Sequence, residues 1–333
     1  MKTSKDVLEV YRVSPPCDDI SNCVMSITSS PDGAVMAASM SDGVVQFIGQ
    51  DLSVKFRPYG LGGTDVGLTC GKFGREERTV NGMPGYNFLT TSTTGLLRCY
   101  NVVPGKINEL AGTGTEIGNE LLVGEFTPDC QSIVTGGSDT KIRLYRRREE
   151  ELELVQTYEQ GIDSHGAPTL GHVSRIFAIR FYDSNVFLSA GWESSMMLFD
   201  MRAGKCAVRP FDGPRISGDG IDFRGNVVVT ASDRISEQVQ VFDFGSGKKM
   251  MEKTVGSKLY ATRITDRKDK LCAWFAGNEG NGLYCMNLKT LTMVSEVTQI
   301  PESMFCIDVN PDDDSLLYAG GAALSLYRIR IVE

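Results

Sequence analysis

Two histidines and two tryptophans are spread over 333 residues, and that scarcity limits the available chemistry at once. A Ser–His or Cys–His nucleophile has only His165 and His172 to draw on. No Gly-x-Ser-x-Gly elbow occurs. The nine cysteines are scattered and form no Cys-x-x-Cys pair, so neither a zinc site nor a redox pair is indicated. Cys70, Cys99, Cys272, Cys285 and Cys306 lie in apolar, strand-like runs and read as buried, reduced thiols of a cytosolic protein. No apolar run reaches the ~18 residues of a membrane helix. The opening MKTSKDVLEVYRV is broken by charges and has no apolar h-region, so no signal peptide is expected. Lysine and arginine number 34 against 42 acids, a net charge of -8, which argues against bulk binding of nucleic acid. Two Gly-rich runs, GLGGTDVG at 60–67 and GTGTEIG at 112–118, lack the phosphate-loop pattern and read as turns. The acid runs REEELEL and PDDD read as solvated strand ends and turns, and His165 lies in a Gly/Pro loop. No catalytic residue, metal ligand or cofactor site is assigned, and the chain is not expected to be an enzyme.

What is present is repetition. Residues 171–205 read as apolar alternation in IFAIRF, an apolar NVFLSAG, a break at WES, a second apolar run SMMLFD and a connection at MRAGK. The same order returns at 24–49, 121–146, 220–248 and 305–328. It returns in weaker form at 259–287 and at 66–101, where GREERTVNGMPG (74–85) separates the first two strands as an insertion, expected to project as a loop. Seven copies with a period of roughly 40 to 54 residues suit four-stranded propeller blades.

These copies carry SPDG at 30–33, TGGSDTKIRLY at 135–145, Gly171-His172, FDMRAGK at 199–205 and VFDFGSGK at 241–248. In this the whole chain resembles the WD40-repeat family, as a divergent member with Phe or Tyr at the places of the repeat tryptophan. The resemblance implies an all-β fold, a seven-bladed WD40-type β-propeller in one domain. Its blades are expected at 14–57, 58–111, 112–160, 161–212, 213–254, 255–298 and 299–333. The strand at 6–13 is expected as the outer strand of the last blade, closing the ring. The same resemblance pairs His172 with Glu193, which stands where Asp139 stands in the preceding repeat.

The resemblance further implies a non-enzymatic scaffold that holds protein partners on its top face. The contact positions carried over are Arg175 with Trp192, Glu120 with Ser138, Lys258 with Asn278, and Ser232. Arg215 and Asp219, in FDGPRISGDGID (211–222), are added as residues of the same face. An arginine beside an exposed tryptophan is the composition of a binding hot spot. The alternative is a substrate receptor of a cullin-type ubiquitin ligase, acting through bottom-face arginines Arg202, Arg148 and Arg330 in FDMR, YRRR and YRIR. The partners are expected to be proteins, with no membrane involved, the chain monomeric by itself, and its place the cytoplasm, with nuclear or cytoskeletal association open.

Overall fold

Short runs of β-branched, aromatic and other apolar residues, most of them ended by a Gly-, Asp- or Asn-containing turn, make strands of three to thirteen residues. The computed structural model describes residues 7–13, 21–56, 66–80, 83–103, 106–148, 151–204, 206–267, 270–278, 282–297 and 300–332. Among these no residue is helical, so no helix is long and apolar enough to cross a membrane.

The first strand is β1 (Val7–Arg12). β2 (Val24–Ser29), β3 (Val35–Met40), β4 (Val45–Gly49) and β5 (Val54–Phe56) then form an antiparallel sheet in chain order. β6 (Leu68–Val80), β7 (Met83–Ser92), β8 (Leu96–Val103) and β9 (Lys106–Thr115) repeat that order, as do β10 (Leu121–Phe126), β11 (Ser132–Gly137), β12 (Ile142–Arg148) and β13 (Glu151–Tyr158). One parallel bridge, Glu151 to Thr113, joins these eight strands into a single sheet. Three four-stranded sheets follow. The first holds β14 (Ile176–Phe181), β15 (Val186–Gly191), β16 (Ser195–Asp200) and β17 (Arg209–Asp212). The second holds β18 (Ile221–Arg224), β19 (Val227–Ala231), β20 (Val239–Asp243) and β21 (Lys249–Lys253). The third holds β22 (Leu259–Arg267), β23 (Lys270–Gly277), β24 (Leu283–Asn287) and β25 (Thr292–Val297). The last sheet, β26 (Met304–Asn310), β27 (Asp313–Gly321) and β28 (Leu326–Val332), takes β1 as its fourth strand, in register from Val7–Val332 to Arg12–Tyr327.

The arrangement is propeller-like. Each of β2, β6, β10, β14, β18, β22 and β26 packs against the next, and β26 packs against β2. The core lies between neighbouring sheets, so both faces of the middle strands are buried and read as near-continuous apolar runs. Phe47, Phe73 and Phe88 pack edge-on or tilted at 5.0–6.0 Å between two of the sheets. Phe187 stacks on Phe199 at 5.2 Å in another seam, with Tyr158 edge-on to both. The large side chains of this core bury roughly 1.5–3 kcal/mol each.

Two expectations change. The insertion at 74–85 is no loop as far as it is described: β6 and β7 run on through it, pairing Glu77 with Tyr86 and Val80 with Met83 after an irregularity that follows Phe73. Residues 81–82, at its tip, lie outside the described residues. GTGTEIG begins inside β9, which continues to Thr115, so only its second half is a turn. GLGGTDVG lies outside the described residues up to 65.

Candidate functional site at the upper mouth of the channel

One bond recurs where each sheet receives the chain from its predecessor. The residue just after β3, β11, β15, β23 or β27 donates its N–H to a carbonyl of the incoming segment. These bonds are Ser41 to Cys23, Ser138 to Glu120, Trp192 to Arg175, Asn278 to Lys258 and Ala322 to Ser303, at 2.9–3.2 Å. They bring together the side-chain pairs Arg175/Trp192, Glu120/Ser138 and Lys258/Asn278. A Cβ on Gly191 would lie 1.7 Å from the Arg175 carbonyl oxygen, so glycine is required there for the two segments to touch.

Trp192 is 41% exposed and fixed on every side that is not solvent. Its Nε1–H donates to Ser217 Oγ at 2.9 Å, and its ring tilts against Phe177 at 5.4 Å. The guanidinium groups of Arg175 and Arg215 each lie 5.5 Å from its centroid, within cation–π range. Both arginines are held in turn, Arg175 by Glu120 and Arg215 by Asp233 at 2.7 Å. Ser217 Oγ also donates to Asp233 Oδ2, at 2.5 Å. The outcome is an exposed aromatic with two braced cations.

Other expected contacts fall elsewhere. Ser232 is fully buried, its hydroxyl accepting from the Arg215 N–H at 3.1 Å and donating to the Arg215 carbonyl at 2.8 Å, so it shapes the turn and offers no surface. Asp219 is not on the rim but down in the channel. Ser138 donates to Asn119 Oδ1 at 3.1 Å. Lys258 is exposed and its ammonium has no partner among the described residues, while Asn278 is half-buried. On the opposite face, Arg202 grips Asp200 at 2.9 and 2.8 Å, Arg148 pairs with Glu153 at 2.9 Å and Arg330 with Asp313 at 3.5 Å.

Six of the seven inner strands carry a register shift at their second residue. The bulged residues are Met25, Thr69, Leu122, Phe177, Tyr260 and Phe305, and a bulge re-aims its side chain. All six line one cavity of about 390 Å³ that opens at this mouth, next to Trp192. β18 has no bulge there; Gly218 and Asp219 take the place, and Asp219 lines the same cavity with Lys72.

Three residues further along each inner strand comes a second layer: Thr28, Lys72, Glu125, Arg180, Asp222, Arg263 and Asp308. Lys72 pairs with Glu125 at 2.6 Å, Arg180 with Asp222 at 3.4 Å and Arg263 with Asp308 at 2.9 Å. Asp219 Oδ2 bridges Arg263 at 2.5 Å and Lys72 at 3.3 Å. Burial alone raises the Asp219 carboxyl, but Arg263, Lys72 and Arg180 outweigh it and hold the group well below the usual carboxylate range. Lys72 and Arg263 are held charged by the same acids against their own burial. Below this layer Arg75 is exposed, donating to the Phe181 carbonyl at 3.4 Å.

His172 is buried and stacked on Phe199. Burial pushes its pKa down to about 3, so the neutral ring donates from Nδ1 to Glu193 and accepts from Ser189 Oγ at Nε2, 2.6 Å away. Glu193 also accepts the Val173 N–H at 2.8 Å. The pair ties the incoming segment to the turn beside Trp192. Among the described residues no group of three or more His, Cys, Asp or Glu is placed to hold a metal ion.

The bulge layer and the charged layer escaped the sequence reading, although one signal was present. The quartets MSIT, TCGK, LVGE, FAIR, YATR and FCID put a cavity residue and a channel residue three apart in six inner strands, and DGID does so across the start of β18. Simple alternation, as read for IFAIRF, has no room for the extra residue of a bulge. No family model matches the chain, and no curated protein matches it.

Proposed function

We propose that the chain is a WD40-type propeller of seven blades that acts as a non-enzymatic scaffold, holding protein partners at the upper mouth of its channel. The eight-stranded sheet then counts as two blades touching at their outer edges, through the Glu151–Thr113 bridge. β1 in turn serves as the closing strand of the seventh, which leaves no free edge on β28. Seven inner strands with one quartet each support this count.

The observation that carries the binding reading is Trp192: large, exposed, and immobilised by Ser217, Phe177, Arg175 and Arg215 before any partner arrives. Tryptophan and arginine dominate binding hot spots, and pre-organised side chains lose little freedom on association. Exposed Val173 (64%) and Ile235 (91%), in neighbouring turns, extend the apolar surface. The ligase-receptor alternative has less support, because among the described residues none of Arg202, Arg148 and Arg330 stands over an aromatic ring as Arg175 and Arg215 do.

The test is affinity capture with mass spectrometry from cell extract, comparing wild type with a folded Arg175→Glu/Trp192→Ala variant. A stoichiometric partner present with wild type and absent with the variant is the expected result. Partners retained unchanged would overturn the assignment of this face.

A further inference from the structure

We propose that the cavity at the upper mouth receives the side chain of a lysine or arginine from a partner chain, its stem among Phe177, Tyr260 and Phe305 and its cationic head at Asp219. This rests on the reading of the upper mouth as a partner-binding face and names the chemistry that the partner brings.

Charge balance comes first. The channel layer pairs off as Lys72–Glu125, Arg180–Asp222 and Arg263–Asp308. Asp219 is the carboxylate left over, and it shares cations already committed to other acids. Within these two layers four acids therefore face three cations, Arg75 lying below both with its guanidinium on the Phe181 carbonyl. Asp219 Oδ1 is buried and accepts no hydrogen bond from the described residues.

The walls agree with the floor. Three aromatic rings and Met25 suit an alkyl stem, and ring faces attract a cation passing between them. The cavity, about 390 Å³, lies at the small end of the ligand-pocket range of about 300–1,000 Å³. Lys72 also lines it, but its ammonium is held by Glu125 at 2.6 Å. Both contacts already made to Asp219, from Arg263 at 2.5 Å and from Lys72 at 3.3 Å, are to Oδ2, so an incoming cation shares the carboxylate with them through Oδ1. A plain aliphatic anchor would fill the walls and leave the surplus carboxylate as it is.

Short random peptides displayed on phage and selected against the full chain provide the probe. Enriched peptides are expected to share one fixed lysine or arginine. Replacing that residue by norleucine, which keeps a linear alkyl stem and removes the charge, is expected to weaken binding about 10- to 100-fold, the worth of a charged hydrogen bond. With Asp219→Asn the same replacement is expected to cost less than about threefold. Met25→Lys, at a position 38% exposed, sets the chain's own ammonium in the cavity and is expected to abolish binding of the basic peptides without disturbing the core. Absence of any enriched peptide, enrichment without a fixed basic residue, or an equal norleucine loss in wild type and Asp219→Asn overturns the inference. Peptides lost with Trp192→Ala but indifferent to the lysine charge would leave the partner-binding face standing while this inference falls. Peptides coupled to Asp219 but indifferent to Trp192 would do the reverse.

Discussion

Replacing Arg263 by methionine keeps most of the stem and removes a guanidinium that makes three short contacts. These run to Asp219 at 2.5 Å, to Asp308 at 2.9 Å and to the Thr262 carbonyl at 2.8 Å. Asp219 would keep only Lys72, at 3.3 Å, and Asp308 would keep the Ser29 N–H, at 2.7 Å. All three side chains are at least four-fifths buried, so solvent does little to replace what is lost. Removing one partner of a buried ion pair costs about 3–5 kcal/mol, mostly because a charge stays behind unpaired. That is the expected destabilisation of Arg263→Met at pH 7. Adding Asp219→Asn removes one of the stranded charges, so the double variant is expected to recover about 1–2 kcal/mol relative to the single one. Acid supplies a second check. A carboxyl held below its unfolded pKa contributes stability that is complete above that value and is lost as pH falls towards the folded one. The wild-type advantage over Arg263→Met should therefore shrink below about pH 4. Urea midpoints followed through Trp274, fully buried among residues of the last two sheets, read both effects where transition slopes match. A single variant within about 1 kcal/mol of wild type, or a double variant less stable than the single, would refute the reasoning.

Other consequences are open to measurement. His172 has a folded pKa pushed down to about 3, so its contribution is present above its unfolded pKa and lost as pH falls; stability should drop by up to about 1.4 kcal/mol per pH unit below pH ~6. His172→Gln should flatten that slope in urea titrations at pH 7 and pH 5, and an unchanged slope would assign it to other groups. Gly191→Ala sets a Cβ against the Arg175 carbonyl and should cost about 1–3 kcal/mol, with thermal melting as the readout. Removing residues 1–13 strips the strand paired with all of 327–332 and should turn the chain from a single species into self-associating material in sedimentation. Trp192→Ala should cost about 1–3 kcal/mol, less than loss of a fully buried tryptophan, since the ring is 41% exposed, and should leave the chain folded in thermal melting.

How much of this was legible depended on period. The seven strand groups were readable because apolar runs and turn residues recur at near-constant spacing, and β1 because 7–12 has strand character yet belongs to no repeat. Arg175 and Trp192 were legible as a pair only through family resemblance; nothing local to either residue says that a backbone bond joins them 17 positions apart. Ser232 shows the limit of such transfer: the bond that Trp192 makes to the Arg175 carbonyl is made in the next sheet by Asp233, to Arg215, and Ser232 lies one residue before it, fully buried. The insertion misled because its Gly and Pro residues outweighed the paired positions on either side of its tip. Arg215 lay in a run that fitted no repeat, and its place beside Trp192 emerges only in three dimensions.

The charged layer follows a rule of its own. Around the channel the residues run Lys72, Glu125, Arg180, Asp222, Arg263, Asp308, alternating in sign at every step, and then Thr28 before Lys72 again. An odd ring cannot alternate throughout; one seat must be neutral or two like charges must touch. Thr28 fills the neutral seat between Asp308 and Lys72, and its hydroxyl accepts the Phe73 N–H at 3.3 Å. The six charges then close as three neighbouring pairs, so the layer is complete without help from above. Asp219 stands outside this alternation, one layer nearer the mouth, where six other inner strands present an uncharged side chain. A structural role within the layer does not call for it. Its position at the base of an aromatic-walled cavity, carrying the surplus negative charge, separates what holds the channel together from what the channel can offer a partner.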